Sequence, residues 1–276
     1  MPQKDGKLLM IPGPCEFHED VLKVVGEASP SHVAPSFIEE FGSTIGMLRK
    51  VFLTSTGQPF VIAGSGSLGW DFVACNLMEP GEKALICNTG YFSDSWATCI
   101  KAYKGQVVNL QMPVGGAVCP KMLEAALKKE KYKIVCLTQV DTSTGVKNDI
   151  KTLASIVKTV QPECLVTVDG VCAFAAEELR FDDWGIDAAL TGSQKALGVP
   201  PGLMVCVMSQ VVVVLVVIDS DVKEESQGQL YLHIILHIET ANDHRILLFH
   251  QCIDSMAYFS YLLLLSSESS ASSEKS

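Results

Sequence analysis

The chain has 276 residues, of which 48% are hydrophobic and 19% are charged, and its formal net charge is −10. This composition supplies a large buried core, and the negative charge argues against nucleic acid and anionic membrane surfaces as partners. The longest uninterrupted apolar run, 211–218, is too short to cross a membrane as a helix.

The ten cysteines are scattered along the chain and form no C-x-x-C pair. Several lie in strand-like apolar runs, so we interpret them as reduced core residues of an intracellular protein. Residues 1–12 lack the apolar segment of a signal peptide. The compartment stays open between cytosol, peroxisome and mitochondrion. No companion cluster accompanies the histidines, so we expect no metal site.

The N-terminal part predicts a short apolar segment followed by two helices. Residues 8–14 end in a rigid Pro-Gly-Pro turn, and apolar residues recur at helical spacing in 21–25 and in 37–52. His32 lies in the polar loop between these helices. It is either a solvated or capping residue or a residue on the substrate side of a site.

Between residues 58 and 208, apolar runs typical of strands alternate with helical patterns. The near-continuous apolar character of these runs predicts an α/β fold with a mainly parallel sheet covered by helices on both faces. Ligand-binding groups in such a sheet gather at the carboxyl ends of its strands. The predicted strands lie near 58–63, 84–87, 107–112, 133–139, 164–171, 186–190 and 202–208.

The first of these strands is followed by a glycine-rich turn, Gly64-Ser-Gly-Ser-Leu-Gly69, and then by a helix. This arrangement directs backbone N–H groups and a helix N-terminus at an anion, most often phosphate. It also matches the G-x-G-x-x-G pattern of dinucleotide sites, but the next strand ends at Asn88-Thr89 and offers no acid for a ribose. A tight turn that needs glycine only for packing is the third interpretation.

Four further features follow later strands. Tyr91 and Phe92 can lie against a flat ring or pack in the core, and residues 140–145 form a cluster of hydroxyls. Asp169 closes an apolar strand, either as a cap or turn acid or as a buried carboxylate that needs a cationic partner. Lys195 lies in a turn rich in glycine and proline, where a surface position and a partly desolvated, nucleophilic amine are the alternatives.

A phosphate cradle, a ring-packing aromatic, a buried aspartate and a strand-end lysine together suit pyridoxal 5′-phosphate held as a Schiff base. Residues 6–209 resemble the class V branch of the fold-type I pyridoxal-phosphate enzymes, the group of alanine–glyoxylate and serine–pyruvate aminotransferases. The resemblance is carried by Gly64-Ser-Gly-Ser-Leu-Gly-Trp70, Asp141-Thr-Ser-Thr-Gly145, Val168-Asp-Gly-Val-Cys172 and Gly192-Ser-Gln-Lys-Ala-Leu-Gly-Val-Pro-Pro-Gly202.

The resemblance implies a role for each matching residue. Lys195 forms the Schiff base and moves the Cα proton, and Asp169 pairs with the ring nitrogen, which makes these two the expected catalytic residues. Gln194 replaces the histidine usual in related desulfurases and so favours the aminotransferase branch. The other implied cofactor contacts are Ser65, Gly66, Ser67 and Gln194 at the phosphate, Phe92 and Val171 on the two ring faces, and Thr142 near the ring oxygen.

The resemblance further implies transamination from alanine or serine to glyoxylate, with amino acids and keto acids as substrates. It implies a homodimer where the C-terminal region is complete. We expect the large fold-type I domain, with an N-terminal arm, over 1–209, and an atypical tail over 210–276 in place of the small C-terminal domain. The alternatives are a truncated, catalytically inactive family member and a dinucleotide-dependent oxidoreductase, which would give Lys195 and Asp169 no joint role.

Overall fold

A computed structural model describes residues 9–213 of the chain. Among these residues, 9–27 and 48–213 belong to one compact unit and 28–47, with His32, to another. All the predicted site residues belong to the first unit. Most of the predicted tail, from 214 onward, lies outside the described residues.

Two helices begin where local chemistry predicts. Helix α6, Ile150–Val160, starts after Asp149, whose carboxylate accepts the backbone N–H of Thr152, and its buried residues recur three and four apart. Helix α5 starts at Pro120, where a proline costs no hydrogen bond. The helices are α1 Glu19–Val25, α2 Pro35–Val51, α3 Leu68–Leu77, α4 Tyr91–Ala102, α5 Pro120–Lys129 and α6 Ile150–Val160.

The predicted mainly parallel sheet is confirmed. Seven strands pair in the order β1-β9-β8-β7-β4-β2-β3, and only β9 runs antiparallel to its neighbours. The strands of the main sheet are β1 Gln58–Ala63, β2 Lys83–Asn88, β3 Gln106–Gln111, β4 Ile134–Thr138, β7 Leu165–Asp169, β8 Ala188–Gly192 and β9 Leu203–Met208. The central strands β4, β7 and β8 are buried along their whole length, as their continuous apolar runs predict.

The structure adds a short hairpin that the sequence does not predict. Residues 140–145 read only as a hydroxyl cluster, whereas β5 Val140–Asp141 pairs with β6 Val146–Lys147. Gly145 makes the turn possible because its φ of 69° is in the left-handed region that favours glycine. No helix within residues 9–213 combines the length and apolar character needed to cross a membrane.

A largely buried ion pair joins three elements at the edge of the sheet where β8 begins. This edge is opposite the one that carries the predicted site. Asp187, just before β8, accepts hydrogen bonds from Lys158 Nζ of α6 at 2.6 Å and from the backbone N–H of Val166 in β7 at 2.7 Å. The side chain of Asp187 is only 11% exposed. Helix α6 and strands β7 and β8 are therefore joined through one carboxylate.

Asp187→Ala should lower the free energy of unfolding by about 1–3 kcal/mol, because it leaves the buried N–H of Val166 without an acceptor and leaves the part-buried ammonium of Lys158 with only the carbonyl of Cys164. Chemical denaturation followed by circular dichroism measures this change. Glu124→Ala, which removes an exposed pair with Lys128 on α5, is the matched control and should cost about 0.5 kcal/mol or less. Equal losses in the two variants would contradict the prediction.

Candidate active site

The predicted site residues follow strands that end at one edge of the sheet. Strands β2, β4, β7 and β8 are mutually parallel, and β1 points the same way because β9 is antiparallel to both β1 and β8. The turn after β1, the loop after β7 and the loop after β8 therefore leave the sheet at the same edge. The sequence prediction that these segments share an edge is correct.

The glycine-rich turn after β1 presents hydrogen-bond donors at the start of α3. The backbone N–H groups of Ser65, Gly66 and Ser67 find no acceptor in the described part of the chain. The two serine hydroxyls are exposed and lie 2.7 Å from each other. Unpaired N–H groups at a helix N-terminus together with two hydroxyls form a binding surface for an anion.

Gly66 brings this turn against the segments that follow β7 and end β8. A Cβ at Gly66 would lie 2.8 Å from Val171 Cγ2 and 3.4 Å from the backbone nitrogen of Gly192. A Cβ at Gly192 would in turn meet Gln194 Oε1 at 2.7 Å. Gly66, Val171 and Gln194 are thus packed together around two glycines. Gln194 Oε1 is buried and has no hydrogen-bond donor among the described residues.

Asp169 is a buried carboxylate with a donor on each oxygen. Its Oδ1 accepts the backbone N–H of Val171 and its Oδ2 accepts the indole N–H of Trp70, both at 2.8 Å. Burial, with a smaller contribution from the negative charge of Asp141, raises the pKa of Asp169 to about 6 against the lowering effect of these two hydrogen bonds. Each carboxylate oxygen retains capacity to accept one more hydrogen bond.

Lys195 lies in a loop that is tied at both ends. Ser193 Oγ donates to the carbonyl of Pro200 at 2.6 Å and accepts the N–H of Leu203 at 3.2 Å, which closes the loop between β8 and β9. Lys195 is half-buried, and its Nζ forms no hydrogen bond or ion pair within residues 9–213. Its role as a nucleophilic amine stays a prediction.

The N-terminal segment packs against Lys195. A Cβ at Gly13 would lie 2.5 Å from Lys195 Cδ, and the Cys15 thiol donates to the Lys195 carbonyl at 3.2 Å. The glycine therefore permits the backbone of the segment to lie directly on the lysine methylenes.

Thr142, in the turn of the unpredicted hairpin, contacts the loop that follows Asp169, whereas Phe92 lies on α4. Thr142 Oγ1 is hydrogen-bonded to the Cys172 thiol, in the loop that follows Asp169. Phe92 is half-buried in the first turn of α4 and packs edge-on against Tyr91, with ring centroids 5.4 Å apart. Within residues 9–213, no hydrogen bond or ring contact joins Phe92 to Asp169 or Lys195.

Asp141 holds the hairpin and α4 together, and sequence reasoning assigned it no role. It is fully buried, and its two oxygens accept four hydrogen bonds, from the N–H and the hydroxyl of both Ser93 and Ser143. A Cβ at Gly90 would lie 2.7 Å from Asp141 Oδ1. Asp141 therefore caps the N-terminus of α4 and fixes Phe92 relative to Thr142.

Comparison with known proteins agrees with this architecture. The family model aminotransferase class-V matches residues 48–215. Alanine–glyoxylate aminotransferase 1 of Saccharomyces cerevisiae is 40% identical over 208 residues, which are 73% of this chain and 54% of that protein. Serine–glyoxylate aminotransferase of Arabidopsis thaliana is 30% identical over 202 residues, which are 72% of this chain and 50% of that protein.

Among solved structures, ureidoglycine–glyoxylate aminotransferase of Bacillus subtilis matches with a TM-score of 0.73 and 26% identity, over 92% of this chain and 65% of that one. The expected fold-type I architecture is thereby confirmed. The chain spans about half the length of the two curated relatives. All three proteins are named as aminotransferases, so a dinucleotide-dependent oxidoreductase is not favoured.

Gly66→Ala should destabilise the protein by about 1–3 kcal/mol, because the new methyl group would overlap Val171 and push the turn away from β8. The midpoint of thermal unfolding measures this cost. Gly46→Ala, within helix α2 where a Cβ meets no atom within 4 Å, is the control and should not lower the midpoint. A Gly66→Ala protein as stable as the wild type would show that the turn does not pack as described.

Proposed function

Because the chain belongs to the aminotransferase class-V family, we propose that it binds pyridoxal 5′-phosphate at the carboxyl edge of its sheet and transfers an amino group to glyoxylate. The observation that carries the proposal is Asp169, a buried carboxylate with spare acceptor capacity on the strand beside the one that leads to Lys195. Transfer to glyoxylate would produce glycine.

The described residues fit the cofactor in three respects. Three backbone N–H groups and two hydroxyls at 65–67 suit a phosphate dianion, which favours a helix N-terminus. Asp169 suits the protonated ring nitrogen, since a cation restores the charged form that burial disfavours. Lys195 supplies an amine that has no partner among residues 9–213 and is held by the loop between β8 and β9.

When bound, pyridoxal phosphate supplies an aldehyde that condenses with amines and a ring that accepts the electron pair left when Cα loses its proton. Lys195 Nζ would hold the cofactor covalently and, as a free amine, would take the proton from the donor's Cα. Asp169 would keep the ring nitrogen protonated. Both roles use side chains that the sequence analysis singles out.

The remaining predicted contacts are proposed on the same basis. Val171 packs on Gly66 and so is held under the turn that binds phosphate, and Gln194 is folded back toward the same turn. We assign Phe92 and Val171 to the two faces of the ring and Thr142, held by Cys172, to the ring oxygen. Ser65, Gly66, Ser67 and Gln194 are assigned to the phosphate.

Alanine or serine is the proposed amino donor, since the yeast and Arabidopsis relatives are named for these two amino acids. The assay supplies each donor separately with glyoxylate and measures glycine formation.

We also propose that the protein forms a homodimer, which light scattering checks. A chain that binds the cofactor but forms no glycine would support the alternative of a catalytically inactive family member.

Lys195→Ala should abolish covalent cofactor attachment, because the amine that forms the bond is gone. Wild-type chain and cofactor are mixed and treated with borohydride, and the modified peptide is identified by mass spectrometry. The label is expected on Lys195 in the wild type and on no specific lysine in the variant. Lys147→Ala, which changes an exposed lysine paired with Glu177, is the matched control. A specific label on another lysine would reject the assignment.

Cofactor affinity should fall as the pH drops through about 6, because Asp169 then becomes protonated and can no longer pair with the ring nitrogen. Affinity is measured by cofactor absorbance between pH 5 and 8.5. The cofactor phosphate also titrates near pH 6 and contributes to the pH dependence of affinity. Asp169→Asn is the reference, because it retains the phosphate contribution and lacks the carboxylate contribution. The wild type should lose affinity more steeply than Asp169→Asn, and it should bind more tightly at pH 8. Parallel curves would refute the pairing.

A further inference from the structure

We infer that Trp70 is a positioning residue of this site, and that its indole N–H fixes the orientation of Asp169 and holds it in the ionised form. The inference deepens the proposed function, and it rests on that function only for what the ionised carboxylate does. The hydrogen bond between Trp70 and Asp169 joins two residues of this chain and does not require the cofactor. Trp70 stands in the quoted motif at 64–70, but neither the motif nor the resemblance gives it a role.

The geometry places the indole at the carboxylate. Trp70 is the third residue of α3 and 8% exposed, and its Nε1 lies 2.8 Å from Asp169 Oδ2. Helix α3 lies directly against β8, since a Cβ at Gly69 would be 2.8 Å from the Cβ of Leu190. The donor is therefore held by close backbone packing.

The two donors of Asp169 differ in what they can do. The N–H of Val171 is fixed by the backbone two residues away and follows the chain wherever Asp169 goes. Trp70 lies 99 residues away and reaches the other oxygen from a separate element. Together they leave the carboxylate little freedom to rotate. A hydrogen bond to a carboxylate favours its charged form, against the burial that favours the neutral one.

The charged and titratable surroundings do not supply this stabilisation. Asp141 on β5 acts in the opposite sense, since its negative charge raises the pKa of Asp169. Cys136 on the neighbouring strand β4 stays neutral, because burial raises the pKa of its thiol far above the physiological range. Cys172 follows in the same loop, and Lys195 lies on the loop after β8 with no ion pair to Asp169.

Trp96 provides a matched comparison within the same core. It is fully buried in α4, and its ring stacks on that of Trp70 at 6.4 Å with 16° between the planes. Its Nε1 is also buried but has no hydrogen-bond partner among the described residues. The two indoles therefore share an environment and differ in whether the N–H reaches a carboxylate.

The first test uses the wild-type chain without cofactor. The indole ¹H–¹⁵N signals of the three tryptophans are followed from pH 4.5 to 8.5, and Trp96→Phe and Trp184→Phe assign them by elimination. The chemical shift of the Trp70 signal should change with a midpoint near pH 6, because the pKa of Asp169 is raised to about 6. The Trp96 signal should not move with it. A Trp70 signal that is flat across this range, or a Trp96 signal that moves equally, would overturn the inference.

The second test is Trp70→Phe, which keeps an aromatic ring against Trp96 while it removes the indole N–H and part of the indole volume. The ¹³C signal of the Asp169 carboxyl, assigned by its loss in Asp169→Asn, should titrate about one pH unit higher than in the wild type, a tenfold change in the proton equilibrium. Trp96→Phe should leave this midpoint unchanged. An unchanged midpoint in a folded Trp70→Phe protein would overturn the inference. If this variant does not fold, the wild-type indole titration decides alone.

Cofactor binding separates this inference from the proposed function. In Trp70→Phe the loss of affinity at low pH should begin about one pH unit higher, while affinity at pH 8.5 stays near the wild-type value. A loss of affinity that is equal at every pH, with no change in the pH at which the further loss begins, would indicate a purely structural defect and overturn the inference. Absence of cofactor binding in the wild type would reject the proposed function, whereas the two titrations would still measure the effect of Trp70 on Asp169.

Discussion

The site depends on one buried carboxylate. Asp169 ends a strand whose every residue is buried, and burial alone disfavours its charge. Two hydrogen bonds, from Val171 and Trp70, offset part of this cost. The two hydrogen bonds do not fully compensate the burial of the Asp169 charge, and a cation would complete the compensation. Such an incompletely compensated charge is common at functional sites.

The cost of this carboxylate couples the cofactor to the stability of the fold. In the cofactor-free chain the pKa of Asp169 is above its ordinary value, so the folded state holds the proton more tightly than the unfolded state. The contribution of this group to stability accordingly decreases as the pH rises from about 4 to about 6. A cationic ring nitrogen would remove the penalty at neutral pH, so binding and folding favour each other.

Most of the sheet could be predicted because its strands are continuous apolar runs, a signal that each segment carries by itself. The motifs at 64–70, 168–172 and 192–202 could be predicted to meet because parallel strands end at a common edge. The β5–β6 hairpin could not, since its strands have two residues each and show no periodicity. Its turn depends on one glycine, Gly145, and on hydrogen bonds to the Asp141 carbonyl.

The supporting residues were missed for the same reason, which is that their partners are distant in sequence. Asp141 caps a helix that begins 50 positions earlier, and Trp70 reaches a carboxylate 99 positions away. A buried acid or tryptophan looks like ordinary core in a single sequence. The residues proposed to meet the ligand can therefore be predicted from local motifs. The residues that orient them become visible only when the sheet brings separate elements together, because orientation is a property of contacts between those elements.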